Sequence, residues 1–348
     1  MIRVLVADDS ITFQRLLTRI IDAHDGMKVV GVAQTGHEAV RLAEQLSPDV
    51  ITMDVHMPDM DGFEATARIM SENPTPVVMV SSSIDTHAGA VAMQALGEGA
   101  LAAVRKPRLD DQTGIAELVT TVRAMSDVRT LRRRRPGAGN PRASVSTPPS
   151  RDPAEAGTQV VQLVAVGAST GGPQALLQLL EAVPALEVPM VVVQHITLGF
   201  TAGLVEWLDK SIHLSVCIAR QGERLKPGTV YFAPEGTHSR VVNIAGAVRL
   251  HQSDAPPLNG FRPSADVLFQ SVAAALPGRA MGIIMTGMGA DGAEGLLQMR
   301  RAGCRTLAQD RDSCVVFGMP SVAERLGAVE HFADPVQLAQ EIGRITGH

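Results

Sequence analysis

The sequence predicts an α/β protein of two doubly wound domains, and three observations carry that reading. Short apolar runs rich in Val, Ile and Ala alternate with stretches of helical periodicity, the pattern of parallel strands covered by helices on both faces. Aromatic residues are only 3% of the 348, which suits buried parallel strands better than an aromatic-rich β-sandwich. The alternation breaks once, where LRRRRPGAGNPRASVSTPPSRDPAEAG loses periodicity and gains Pro, Gly, Ser and Arg, the composition of a linker. The expected organisation is therefore a domain over 1–126, a Pro- and Arg-rich linker over 127–157 and a second domain over 158–348.

The first domain reads as five strands, each followed by a helix. IRVLVAD leads to a helix near Thr12 to His24, and MKVVGVA to one near Gly36 to Gln45. DVITMD precedes a helix near Gly62 to Ser71, and PVVMVSS one near Ala88 to Gly97. LAAVRKP is followed by a last helix from about Gly114 to Met125. After the linker, VVQLVAVGAS, PMVVVQHI, LSVCIAR, TVYFAP, AMGIIMTGM and CRTLAQD read as strands of a larger, mostly parallel layer, and RVVNIAGAVRL as an antiparallel hairpin.

Composition narrows the function classes. Lys plus Arg number 31 and Asp plus Glu 36, a formal charge of −5, so nothing global favours a polyanion and no nucleic-acid partner is expected. The run Arg132 to Arg135 reads as solvated charge. Cys217, Cys304 and Cys314 are odd in number and lack CxxC spacing, which argues against a disulfide framework or a zinc site. No apolar run reaches the roughly 18 residues of a membrane span, and the amino terminus lacks a basic n-region and a cleavage site. A cytoplasmic chain without membrane insertion is expected.

Function in an open parallel sheet gathers beyond the carboxyl ends of the strands. In the first domain those positions hold Asp8 and Asp9, Asp54, Ser81 and Lys106. Carboxylates gathered this way suit Mg²⁺, and one of them can act as a nucleophile toward phosphorus. The words AxDDS, DVITMDVHMPDMDG, VVMVSSS and RKP resemble the receiver domain of response regulators, which implies a five-stranded, flavodoxin-like sheet. By that resemblance Asp54 is the phosphoacceptor. Asp8, Asp9 and Asp54 hold Mg²⁺ with the backbone carbonyl of His56, Ser81 senses the phosphoryl group and Lys106 pairs with it. Ala103 stands where many receivers carry an aromatic switch residue.

In the second domain VVQLVAVG runs into Ala168-Ser169-Thr170-Gly171-Gly172-Pro173 and then a helix. A strand, a glycine turn and a helix start place Ser169 near backbone N–H groups that favour negative charge. GASTG fits the G-x-S-x-G elbow, and a phosphate-binding glycine turn explains this stretch equally well. His195 ends PMVVVQH and Asp291 follows MGIIM, so a base and its orienting carboxylate can meet Ser169 at one rim. The chain order Ser…His…Asp differs from the Ser…Asp…His of α/β-hydrolases.

GASTGG, VVVQH, NGFRPSADVLF, TGMGADG and AQDRDSCVVFGMP closely resemble the catalytic domain of the chemotaxis protein-glutamate methylesterases, the CheB family. The resemblance implies a methylesterase that releases methanol from glutamate methyl esters on chemoreceptor cytoplasmic domains and also deamidates receptor glutamine. It makes Ser169 the nucleophile, His195 the base, Asp291 its orienting carboxylate and the backbone N–H of Met288 the oxyanion donor. Thr170 either positions Ser169 or caps the helix. The expected partners are methylated receptors and a histidine kinase as phosphodonor; the expected cofactor is Mg²⁺ at the receiver, with none for the ester reaction. The alternatives are a response regulator with a non-motility output, a DNA-binding second domain using Arg132 to Arg135, or a nucleotide binder using GASTGG, which lacks the G-x-G-x-x-G fingerprint.

Overall fold

The computed structural model describes residues 1–81, 102–108, 110–126 and 160–346. The expected linker over 127–157, with Arg132 to Arg135, and the helix expected near Ala88 to Gly97 lie outside the described residues.

In the first domain β1 (Ile2–Ala7), β2 (Met27–Ala33), β3 (Val50–Asp54), β4 (Val77–Ser81) and β5 (Ala102–Arg105) form one sheet in the order β2-β1-β3-β4-β5. All four pairings are parallel. Strands β3 and β4 are buried at every residue, as a sheet covered on both faces requires. The helices are α1 (Ile11–Asp22), α2 (Gly36–Leu46), α3 (Gly62–Glu72) and α4 (Gln112–Ser126). Helix α3 begins where Asp61 accepts hydrogen bonds from the N–H groups of Phe63 and Glu64, both 2.9 Å, so this acidic side chain is a cap.

The second domain carries a seven-stranded sheet, β14-β13-β12-β6-β7-β9-β8. Its strands are β6 (Leu163–Ala168), β7 (Met190–Gln194), β8 (Ser215–Ile218), β9 (Thr229–Phe232), β12 (Ala280–Ile284), β13 (Arg305–Gln309) and β14 (His331–Ala333), all paired in parallel. The expected hairpin is β10 (His238–Ile244) with β11 (Ala247–Ser253), an antiparallel sheet of its own. Its turn residues Ala245 and Gly246 both have positive φ, 51° and 81°, as a two-residue hairpin turn demands. Helices α5 (Gly172–Ala182), α6 (Thr201–Ser211), α7 (Ala265–Ala275), α8 (Ala293–Arg301), α9 (Met319–Arg325) and α10 (Pro335–Thr346) complete the domain. Edge strand β14 has three residues, too few for a periodic signal.

The first sheet reverses its strand order at β1/β3 and the second at β6/β12. Crevices open at such switch points. Asp8 and Asp54 flank the first; Ser169 and the loop bearing Asp291 flank the second.

Candidate functional site

At the first crevice one ligand oxygen each from Asp8, Asp9 and Asp54 lies within 4.8 Å of the others. Lys106 reaches across from the end of β5, its Nζ 2.7 Å from Asp8 Oδ2 and 2.8 Å from Asp54 Oδ2. It also lies 4.6 Å from the centroid of the Phe13 ring, a neighbour the sequence did not reveal. Asp8, Asp54, Ser81 and Lys106 are all buried. Burial pushes the Asp54 carboxyl above its usual value, with the Asp8 charge adding to this and Lys106 opposing it. Among the described residues the buried Ser81 hydroxyl has no hydrogen-bond partner, which leaves a polar group beside the carboxylates. Three hard oxygen donors around one ammonium fit a divalent cation such as Mg²⁺. Gly62 lets α3 close over this corner, because a Cβ there would sit 3.2 Å from Met53 Cγ and collide with the Asp54 carbonyl.

At the second crevice Ser169 follows β6 and is 9% exposed. Its N–H donates to Thr286 O at 3.0 Å and its carbonyl accepts from Gly172 N at 2.8 Å, which shapes the turn into α5. Gly171, with φ 77°, stands at the helix N-cap; Thr170 does not cap the helix, and its carbonyl accepts from the Thr286 hydroxyl. His195 follows β7, the neighbour of β6. The Gln194 amide ties the two together, its Nε2 donating to the carbonyls of both Ser169 and His195 at 2.8 Å.

His195 Nε2 lies 2.8 Å from Asp291 Oδ2. Asp291 is buried and also accepts from the Ser264 hydroxyl at 2.6 Å and from Ala265 N at 2.7 Å. Burial would raise this carboxyl, but the hydrogen bonds and charge of His195, with those from Ser264 and Ala265, hold it below its usual value. An ionised Asp291 can only accept, so Nε2 carries the hydrogen. Nδ1 is then the nitrogen with the free lone pair, and it is buried with no partner among the described residues. The nitrogen roles are the reverse of those in trypsin-like proteases, with the same logic.

Gly287 packs against Ser169: a Cβ there would lie 2.6 Å from Ser169 Cβ. Next to it, the backbone N–H of Met288 has no hydrogen-bond partner among the described residues, leaving a donor beside Ser169 for a developing oxyanion. No cysteine competes as nucleophile, since burial raises all three thiols, that of Cys314 to about 12. His238 is buried with Nε2 3.1 Å from Pro256 O.

The carboxylate Asp266 stands beside Asp291 and accepts from Gly295 N at 2.7 Å. Burial pushes it up to about 6, with the charge of Asp291 adding to this. A carboxyl whose folded value exceeds its unfolded one stabilises the fold when protonated, a contribution lost as pH rises from 3.8 through about 6. Asp266→Asn keeps an oxygen for Gly295 and removes the charge. It should raise stability relative to wild type by about 2 kcal/mol near pH 8 and by much less near pH 4. Denaturant unfolding at both pH values checks this, and an equal difference at the two would contradict it.

The two domains touch close to the second crevice. The Thr197 hydroxyl, two residues after His195, lies 2.7 Å from Glu117 Oε1 on α4 and 3.3 Å from the carbonyl of Ala103 on β5. Val315 and Val316, in the loop that bonds Gly287 and Thr286, pack against the apolar cluster of the first domain. Ala103 thus contributes to this contact through its backbone, which needs no aromatic side chain.

Fold and site together define a class: a hydrolase domain joined to a two-component receiver. The family described as CheB methylesterase matches residues 164–342, and the response regulator receiver domain matches residues 4–119. The chain belongs to the CheB methylesterase family. It is 46% identical to "Protein-glutamate methylesterase/protein-glutamine glutaminase 3" of Anaeromyxobacter dehalogenans over 98% of both chains. It is also 46% identical to "Protein-glutamate methylesterase/protein-glutamine glutaminase 4" of Myxococcus xanthus, over 92% of this chain and 90% of that one. Among solved structures, the Thermotoga maritima CheB methylesterase catalytic domain matches with TM-score 0.52 and 32% identity, covering 53% of this chain and 98% of that one.

Sequence reasoning missed Ser264, Gln194 and Thr197. Ser264 before an apolar run carried the signal of a helix cap, and it does accept from Val267 N at 3.3 Å; its bond to Asp291, 27 positions away, left no local trace.

Proposed function

We propose that Ser169, His195 and Asp291 carry out the reaction of a phosphorylation-regulated protein-glutamate methylesterase that also deamidates glutamine, with chemoreceptor cytoplasmic domains as substrate. The observation that carries this reading is the His195–Asp291 bond, which leaves Nδ1 as a base at the rim where Ser169 stands. Nδ1 takes the Ser169 proton as Oγ bonds to the carbonyl carbon of the γ-glutamyl ester. The carbonyl oxygen becomes an oxyanion facing the Met288 N–H. The imidazolium returns the proton to the methoxy oxygen as the C–O bond breaks, and methanol leaves. Water then attacks the acyl-enzyme with Nδ1 again as base, releasing glutamate and restoring Ser169. With glutamine the leaving group is ammonia.

The domain division follows the same reading: a receiver over 1–126, a linker over 127–157 and the catalytic domain over 158–348. A histidine kinase supplies the phosphoryl group to Asp54. Asp8, Asp9, Asp54 and the backbone carbonyl of His56 would hold Mg²⁺, which offsets charge on the entering phosphoryl group. That group adds about −1.5 to −2 charges. Lys106 then turns from the two carboxylates to the phosphoryl oxygens, and the unpartnered Ser81 hydroxyl donates to them. Ser81 pairs with Arg105 across β4 and β5, and Lys106 N donates to Ser81 O, so this movement reaches the strand whose Ala103 contacts Thr197. In the resting state the receiver lies on the segments flanking the catalytic rim; phosphorylation loosens that contact. Among the described residues no helix is long and apolar enough to cross a membrane. A DNA- or nucleotide-binding second domain is not favoured.

Thr197→Val removes the hydroxyl that Glu117 and Ala103 share. A hydrogen bond to a charged group contributes about 1.5–3 kcal/mol when buried and less at this exposed edge, so basal methanol release should rise about three- to tenfold. Steady-state assays without phosphodonor check this; an unchanged basal rate would mean the contact does not restrain activity.

A further inference from the structure

The motif NGFRPSADVLF is part of the family resemblance, yet none of its residues belongs to the Ser–His–Asp set. The structure shows it wrapped around two members of that set. Ser264 and the N–H groups of Ala265 and Asp266 hold the Asp291 carboxylate. The Phe261 ring lies against His195, centroids 4.1 Å apart and planes within 10°.

Local backbone geometry fixes how the chain presents this ring. Asn259 and Gly260 both have positive φ, 52° and 87°, and Leu258 and Phe261 exchange backbone hydrogen bonds of 3.1 and 2.9 Å across them. That is the pattern of a type I′ turn, which fixes the direction of the residue after it. The Arg262 side chain, meanwhile, folds back toward the carbonyls of Asp254 and Ala255 at 3.4 Å, away from the imidazole.

His195 needs such a neighbour. Its one side-chain hydrogen bond, to Asp291, pins a single ring atom and leaves the plane free to hinge about it. Among the described residues Nδ1 has no partner to stop that motion. A second ring stacked on the face removes the hinge, and stacked rings attract one another. The attraction grows when Nδ1 takes a proton, because an aromatic face favours a cation. An interaction stronger in the transition state than in the ground state raises kcat and leaves substrate binding alone.

We propose that Phe261 is a positioning residue for the general base, its stacked ring holding the His195 imidazole in the orientation that its bond to Asp291 sets. The inference rests on the triad assignment above. The test uses the full chain with methylated receptor, phosphodonor and Mg²⁺, comparing wild type, Phe261→Leu and Phe261→Tyr, with proton NMR of the His195 ring. Phe261→Leu should lower kcat roughly ten- to a hundredfold, with KM changed by less than about twofold. Phe261→Tyr, which keeps the stack, should restore kcat to within about threefold of wild type. The His195 ring protons should be shifted upfield by the stack in wild type and Phe261→Tyr, and return downfield in Phe261→Leu. An unchanged kcat in Phe261→Leu, or unshifted His195 protons in wild type, would overturn the proposal; the NMR result does not depend on any variant folding. A wild type that releases no methanol would instead overturn the triad reading.

Discussion

Ser169→Ala lowers methanol release from methylated receptor by about four powers of ten or more, without loss of fold. Members of such a set act as a unit, and removing the nucleophile leaves only what the oxyanion donor and substrate binding supply. The small change in stability follows from the site: Ser169 holds its turn through its backbone, by Thr286 O, Gly172 N and the Gln194 amide. The Oγ can go while the turn stays. A coupled assay for methanol, with a melting curve of the variant, checks both halves. Near-normal turnover would remove Ser169 from the chemistry.

Asp291→Asn has the second largest effect, a loss of about 10³–10⁴ in kcat. Each carboxylate oxygen faces donors: Oδ2 faces His195 Nε2 and Ala265 N, and Oδ1 faces the Ser264 hydroxyl and Asp266 N. An amide nitrogen in either place confronts a donor with another donor. Turned toward His195, it forces the hydrogen onto Nδ1, which then cannot take the Ser169 proton. Turned the other way, it opposes the N–H of Asp266 and still leaves the imidazolium without its counter-charge. The pH–rate profile is the check, since a wrong tautomer lowers the whole plateau. A variant within tenfold of wild type would show that Asp291 does not orient the base.

Much of this site is legible in the amino-acid sequence alone. Strand ends place Asp8, Asp54, Ser169 and His195 at the carboxyl rims of parallel sheets, because each follows an apolar run too short to be anything but a buried strand. The same signal locates β1 to β13 within one or two residues at most ends. What stays hidden depends on contacts between residues far apart in the chain. Thr197 meets Glu117 across 80 positions, and Ser264 meets Asp291 across 27; neither leaves a periodicity or a spacing to read. Phe261 is visible only as a letter in a motif, since a stack on His195 requires the I′ turn and the return of β7 to the same rim. Asp266 resembles an acidic first-turn residue favoured by the helix dipole, and its burial beside Asp291 gives it a different character.

Control of Ser169 by chemistry at Asp54 is tested most directly by the initial rate of methanol release from methylated receptor. The full chain is compared with and without a small acyl phosphate and Mg²⁺, for wild type and Asp54→Asn. The phosphodonor should raise the wild-type rate about tenfold or more, the change expected when roughly 1.4 kcal/mol of domain contact is released. Asp54→Asn should stay at its basal rate under both conditions. Equal wild-type rates with and without phosphodonor, or equal activation of Asp54→Asn, would contradict that control.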